Sequence, residues 1–390
     1  MIKAHFALYS KYRVGFGLRR NKMKTITKSL ICIVLCLSLS FGASATEPVG
    51  IGDSFTSFFD SVVRFFSIII GEISDLFEGG YTRIDIEKYT EQGFEIPGLE
   101  SGFVPQGLCY SEKLGAYLIS GYTDGGNSKI YTVDEKTNET KEIILKDYTA
   151  HAGGIAAGGN NIWICSGGNA EKGGKLYHFT ADAIAQAESG DEIAFDSKTD
   201  LAVKGSFLGC GGDMIWVGEF YTDGGDYEVN PDHAYGKNHA WACGYSVDSD
   251  GKLRLEAVIS VPDEVQGMSV LSDNTVIFST SYGRYNDSAL QIYSPYTEWE
   301  KSTVTVDGKE TDFYACTKSN RIAKIKMPTL MQGIECKGNN LYTIFESGAE
   351  KYSNAKKVIT NAYSINIDSI LKNIDIKITQ GKLLGACPVF

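Results

Sequence analysis

One plan recurs five times between residues 103 and 370, and this recurrence constrains the chain more than any other feature. The repeats open with FVPQGLCYSEKLGAYLISGYTDGG (103–126), YTAHAGGIAAGGNNIWICSGG (148–168), SFLGCGGDMIWVGEFYTDGG (206–225), DEVQGMSVLSDNTVIFSTSYGR (263–284) and TLMQGIECKGNNLYTIFESGAEKY (329–352). Each reads as a short apolar strand, a turn, an apolar-aromatic strand, a polar loop and a third strand. The turns hold Gly-Asn-Asn at 159–161 and 338–340 and Ser-Asp-Asn at 272–274, residue types that suit tight hairpins. Fourth strands follow in KEIIL (141–145) and LRLEAVISV (253–261). One such unit cannot bury both of its faces, so its repetition points to blades stacked around a common axis. The motif YTDGG stands at 122–126 and again at 221–225, in the same place within its repeat. Trp163 and Trp216 share another repeat position, and both read as packing between blades.

The expected fold is therefore all-β: a β-propeller of five or six four-stranded blades over residues 81–390. Residues 82–95 and 302–326 fall outside the clear repeats, and either could supply a sixth blade. A parallel β-helix is the rival, but its rungs are much shorter than these repeats. Composition agrees with short strands and tight turns, with 43 glycines, 22 tyrosines and 8 prolines in 390 residues.

The N-terminal region has a different character. From Lys22 the chain reads KMKTITKSL, then ICIVLCLSLSFG, then ASA ending at Ala45. A basic start, a short apolar core and a small-x-small site make residues 1–45 a signal peptide, with Met23 a candidate start. The apolar run falls short of the roughly 20 residues of a membrane span, although a retained anchor stays open. Export to a secreted or cell-surface location is expected. Residues 46–80 then hold a spacer and an amphipathic helix. Phe55, Phe58, Phe59, Val62, Phe66, Ile69, Ile70, Ile73 and Phe77 line one side, Ser57, Asp60, Ser61 and Arg64 the other. So broad an apolar face needs cover, either from the propeller or, through residues 52–78, from a membrane surface or a partner protein.

The formal charge is −11, and residues 1–45 carry eight basic side chains and no acidic ones, so the rest of the chain is more acidic still. Such a surface repels nucleic acid, which is excluded as a partner. Seven cysteines follow the signal (Cys109, Cys165, Cys210, Cys243, Cys316, Cys336, Cys387), irregularly spaced and without a CxxC pair. They read as buried thiols rather than a disulfide framework or a zinc motif, with one or two bridges left open.

The repeat starts QGL, QGM and QGI, with LISGY, IFSTSYGR and IFESGAEKY after them, resemble secreted bacterial propellers. The group in question includes gluconolactonase-, paraoxonase- and strictosidine-synthase-like proteins, and the likeness runs from about residue 100 to the C-terminus. It implies the fold; in the gluconolactonase- and paraoxonase-like enzymes it also implies a central calcium held by Glu and Asn/Asp. The corresponding starts here supply Gln106, His151, Gln266 and Gln332, mostly neutral amides, so no metal site is expected.

In a propeller the inner strand of every blade starts on one face, beside the loops between second and third strands. Gln106, His151, Gln266 and Gln332 are read as one equivalent position ringing that mouth. Tyr122, Glu219, Tyr221, Ser281, Arg284, Tyr285, Glu346 and Tyr352 fall near it. Mutual hydrogen bonding of the amides, and pairing of Arg284 with Glu346, are the purely structural alternatives. His151 titrates near neutrality and is the candidate general base. His233 and His239, in the long insertion of the third repeat, are a weak metal pair and a better rim loop. No nucleophile elbow, phosphate loop, dinucleotide fingerprint or HExxH helix occurs. Two functions stay open. In one, Gln106, Tyr122, Glu219, Tyr221, Gln266, Tyr285 and Gln332 bind a small polar, glycan or peptide ligand. In the other, a hydrolase or lyase uses His151, Arg284 and Glu346. Neither names a cofactor.

Overall fold

A computed structural model describes residues 81–169, 173–211, 213–223, 227–248 and 251–374. The expected signal peptide and amphipathic helix, and Cys387, lie outside the described residues. A first strand, β1 (Thr90–Glu95), precedes the repeats. Blade 1 holds β2 (Phe103–Ser111), β3 (Ala116–Thr123), β4 (Lys129–Asp134) and β5 (Thr140–Leu145). Blade 2 begins with β6 (Gly154–Gly158), β7 (Asn161–Asn169) and β8 (Gly173–Thr180). A short helix, α1 (Ala181–Gln186), leads to β9 (Asp191–Ile193), which pairs parallel to β5 of blade 1. The next strand, β10 (Ser197–Asp200), completes blade 2.

Blade 3 holds β11 (Phe207–Gly211), β12 (Met214–Gly218), β13 (Ala240–Val247) and β14 (Leu253–Val261). Blade 4 starts with β15 (Val265–Val270), β16 (Thr275–Thr280) and β17 (Ser288–Pro295). The hairpin β18 (Glu300–Val306) and β19 (Lys309–Ala315) then crosses back to extend blade 3, with β19 parallel to β14, before β20 (Arg321–Met327) finishes blade 4. Blade 5 is β21 (Met331–Lys337), β22 (Asn340–Phe345) and β23 (Asn361–Asn366), and its outer strand is β1.

The blade number is thus five, and the sixth-blade alternative is corrected. Residues 82–95 provide the outer strand of blade 5, while 302–326 provide an added hairpin and the outer strand of blade 4. The expected hairpins are present: Gly158 faces Asn161 and Lys337 faces Asn340 across two-residue turns. Gly159 and Gly338 both take φ of 57°, a left-handed conformation that costs glycine nothing.

The inner strands β2, β6, β11, β15 and β21 pack side by side around the axis, and β21 meets β2 to close the ring. The QG starts have a steric reason there. A Cβ on Gly107 would stand 2.6 Å from the nitrogen of Ile155, and one on Gly154 would stand 2.1 Å from that of Leu208. On Gly267 it would lie 3.0 Å from the nitrogen of Ile334, and on Gly333 2.5 Å from that of Leu108. Five blades bring the inner strands nearly into backbone contact, leaving no room for a side chain on those inward positions. Hydroxyls stitch neighbouring blades at the same level: Ser120 Oγ donates to Ala152 O (2.9 Å) and Ser279 Oγ to Gln332 O (2.7 Å).

Five apolar clusters fill the spaces between adjacent blades, one for each interface. Trp163 sits between blades 2 and 3 and Trp216 between blades 3 and 4, as their shared position suggests. The six described cysteines are unpaired, four of them buried, and burial pushes the Cys165 thiol up to about 12.

Candidate functional site

The side chains at the mouth are aimed by irregularities in otherwise regular strands. In blade 1, Pro105 faces Gly121 and Gly107 faces Ser120, so Gln106 is the extra residue of a β-bulge. Gln266 is the extra residue between Val265 and Gly267 in blade 4. Another irregularity spans Met331 to Ile334 and holds Gln332 in blade 5. A bulge turns a side chain out of the alternation of its strand, and here it does so at the start of three inner strands.

Strand β22 ends at Phe345, where a single-turn 3-10 segment, Glu346–Gly348, carries Glu346 over those starts. Its backbone N–H donates to Leu330 O (3.1 Å). Gln106 Nε2 donates both to Pro105 O (3.0 Å) and to Glu346 Oε2 (2.9 Å). A carbonyl only accepts, so the bond to Pro105 identifies the amide nitrogen. Gln332, 2% exposed, bonds the same carboxyl. Glu346 is 8% exposed. Burial pushes its pKa up to about 7, opposed by the two amide bonds and then by the charges of Lys351 and Arg284. A carboxyl poised near neutrality can serve as hydrogen-bond donor, acceptor or proton source.

Around Glu346 stand groups from four blades. Lys351 Nζ donates to Tyr122 OH (3.0 Å) and lies 3.4 Å from Asp124 Oδ1, joining blade 5 to blade 1. Tyr122 stacks on His151 of blade 2, ring centroids 4.4 Å apart and planes 13° from parallel. Partial burial of this otherwise exposed ring, then Lys351, push the imidazole below its ordinary pKa, against the pull of Asp124. Arg284 of blade 4 donates from Nη1 to Asn354 Oδ1 (2.9 Å), and its guanidinium lies 4.9 Å from the centre of the Tyr352 ring. Tyr352 in turn bonds Tyr122. Arg284 and Glu346 act on each other through space without an ion pair.

His151, Arg284 and Glu346, named from sequence, thus share one network with Gln106, Gln332, Tyr122 and Tyr352. Four positions differ from expectation. His151 is not in register with the glutamines: Gly154 plays the part of Gly107, so Gly153 matches Gln106 and His151 stands two residues earlier. Gln266 turns to its own blade and donates to Ser281 O (3.2 Å). Glu219, 2% exposed, is spent on anchoring: it accepts from the backbone of Lys204 and Trp241 (both 3.1 Å) and bonds His233 Nδ1 (2.8 Å). His233 stacks on Trp241 at 3.9 Å, which seats the third-repeat insertion on its blade. Tyr221 serves the same loop, stacking at 4.3 Å on His239, whose Nδ1 bonds Asp263. The two insertion histidines are tied to different carboxylates, and among the described residues no three His, Cys, Asp or Glu gather to hold a metal. Tyr285 lies beside Arg284 in the β16–β17 loop. Lys351, Asp124 and Asn354 were not singled out from sequence; a Lys in the run EKYSN gives no signal that sets it apart from a solvated surface.

No protein-family model matches the chain, and no curated protein matches it. Among solved structures it is similar to a chain of the mitotic checkpoint complex, at 8% identity over 73% of this chain and 98% of that one, TM-score 0.36. It is also similar to the WD40 repeats of RRP9, at 7% identity over 67% of each chain and TM-score 0.33. A third likeness is to hydrazine synthase of Kuenenia stuttgartiensis, at 11% identity over 70% of this chain and 67% of that one, TM-score 0.34. Likenesses this distant carry no argument about activity; the five sheets themselves make the chain a β-propeller.

Proposed function

We propose that this chain is an exported binding propeller that takes a small polar ligand, a saccharide or a short peptide, at its central mouth. The supporting observation is Glu346: a buried carboxyl bonded by amides from blades 1 and 5 and flanked by Lys351 and Arg284 without direct pairing. Groups of both charges, amides and ring faces brought together from distant repeats suit a ligand with several polar groups. The kinship with gluconolactonase-, paraoxonase- and strictosidine-synthase-like propellers is part of the proposal, as is export by residues 1–45. A thermal-shift screen of saccharides and short peptides on wild type and Gln106→Ala tests it. A ligand that stabilises wild type and loses its effect in the variant is expected; a screen without any such ligand refutes the reading.

Catalysis is the second reading, and the acidity of Glu346 favours it. A carboxyl with a pKa of about 7 suits a general acid, with His151 as its basic counterpart and Arg284 as charge stabiliser. Turnover of a bound ligand that disappears in Glu346→Gln while binding persists would establish it.

A further inference from the structure

The mouth gathers cations in a chain of net charge −11. Lys351 shares its charge with the exposed Asp124 only at 3.4 Å. Among the described residues Arg284 meets no carboxylate at ion-pair distance; it bonds the neutral Asn354 and lies over Tyr352. Both cations act on Glu346, and neither touches it. Below them, Gln106 has committed its amide nitrogen to Pro105 and Glu346, which leaves its Oε1 as an acceptor. Beside them stands the stacked pair Tyr122–His151.

Resting on the reading that this mouth is a binding site, we propose that its ligand is a hexuronic acid, free or at the end of an acidic glycan. The carboxylate sits against Arg284 and Lys351, ring hydroxyls donate to Gln106 Oε1, and the pyranose face lies on the exposed ring of His151, backed by the buried Tyr122. The charge argues for a carboxylate rather than a phosphate. A planar guanidinium matches a planar carboxylate, whereas a dianion would also confront Asp124 and Glu346. Neutral hydroxyls complete the ligand better than an ammonium, which the two cations would repel.

Calorimetric titration of the full chain with galacturonate, its trimer, glucose and inorganic phosphate tests the proposal. Uronate is expected to bind more tightly than glucose and phosphate. Its affinity should fall about tenfold or more in each of Arg284→Gln and Lys351→Gln, and also on raising salt from about 50 to about 500 mM. A tighter trimer identifies a glycan end, and equal affinities identify the free acid. Melting curves of both variants confirm folding, and Lys301→Gln, an exposed cation paired with Asp312 on the outer hairpin of blade 3, serves as a control that keeps uronate affinity. Glucose or phosphate binding as well as uronate overturns the proposal and leaves the mouth as a site. Uronate affinity unchanged in both folded cation variants also overturns it. No binding of any titrant overturns it too, and a thermal-shift screen of saccharides and peptides that is also blank removes the mouth reading as well.

Discussion

One of the closest backbone approaches in the ring yields the sharpest prediction. In Gly154→Ala the new methyl would stand 2.1 Å from Leu208 N and 2.7 Å from Phe207 C. Both atoms belong to the inner strand of blade 3, which is held on its other side by β12, so no side-chain rotation relieves the clash. Either β6 or β11 must shift by more than an ångström, and the shift must be absorbed around a closed ring. Overpacking of a buried site typically costs about 1–3 kcal/mol, and a clash against rigid backbone belongs at the upper end, about 3 kcal/mol. In a domain of this size each kcal/mol lowers the melting temperature by about 2 °C, so a loss of about 6 °C is expected by calorimetry. The control is Gly167→Ala, a position with no atom within 4 Å of the added methyl and no left-handed φ. It should melt within about 1 °C of wild type, or slightly higher because the unfolded chain loses freedom. If Gly154→Ala melts with the control, the repeated glycines are not explained by blade spacing.

Four further outcomes are expected. Burial raises the folded-state pKa of Glu346 to about 7 from an ordinary 4.5. The native protein therefore favours the neutral acid, and this contribution, full below the ordinary value, is lost as pH climbs to about 7. Chemical denaturation at pH 5 and pH 8 should show about 3 kcal/mol less loss of stability in Glu346→Gln than in wild type, and equal losses would refute the assignment. Glu335, buried among inner strands and raised to about 8 by desolvation, predicts a second decline of the same sign that extends to higher pH, relieved by Glu335→Gln. In His233→Ala the buried Glu219 keeps two backbone donors but loses its ring partner. A loss of about 2 kcal/mol and faster proteolysis within 219–239 are expected, and an unchanged urea midpoint would show that the histidine anchors nothing. Deleting residues 81–96 removes β1 and Ile96, which should expose the outer edge of blade 5 and abolish cooperative melting; a cooperative transition at the wild-type temperature would contradict the closure.

The repeats were legible because strand, turn and strand lie close together in sequence. The hairpins at 159–161 and 338–340, the equivalent inter-blade places of Trp163 and Trp216 and the gathering of Glu346, Gln106 and Tyr122 all follow from local pattern plus radial symmetry. What escaped needs a partner distant in the chain. β1 is six residues, TEQGFE, without an apolar alternation, and only its pairing with β23 makes it a strand. The bulges at Gln106 and Gln266 exist only relative to the opposing strand. The register of His151 went astray because AHAGG offers two consecutive glycines, and only the clash with Leu208 shows which one matches Gly107. Glu219 resembled a mouth residue by its place after β12, yet the insertion that follows supplies His233 to bind it. The QG starts also weigh less as a mark of kinship than they first did, since tight packing of five inner strands asks for that glycine by itself.

Closure and site are coupled through blade 5. Among the described residues it is the only blade built from both sides of the repeat array: β21, β22 and β23 come from its end and β1 from before its beginning. The same blade supplies Glu346, Gln332, Lys351 and Tyr352, while Gln106, the amide that fixes Glu346, comes from blade 1 across the seam. The seam is thus tied at two radii. Outside, β1 pairs with β23 and Ile96 donates its backbone N–H to Thr360 O (2.8 Å). Inside, Gln106 holds Glu346, and Lys351 holds Tyr122 and Asp124. Contacts between residues 90–122 and 332–365 span most of the described chain, so they form at the greatest cost in loop entropy. The mouth is assembled by the step that closes the ring, and an open ring would carry Glu346 without the amide of Gln106 and with its carboxyl returned to water.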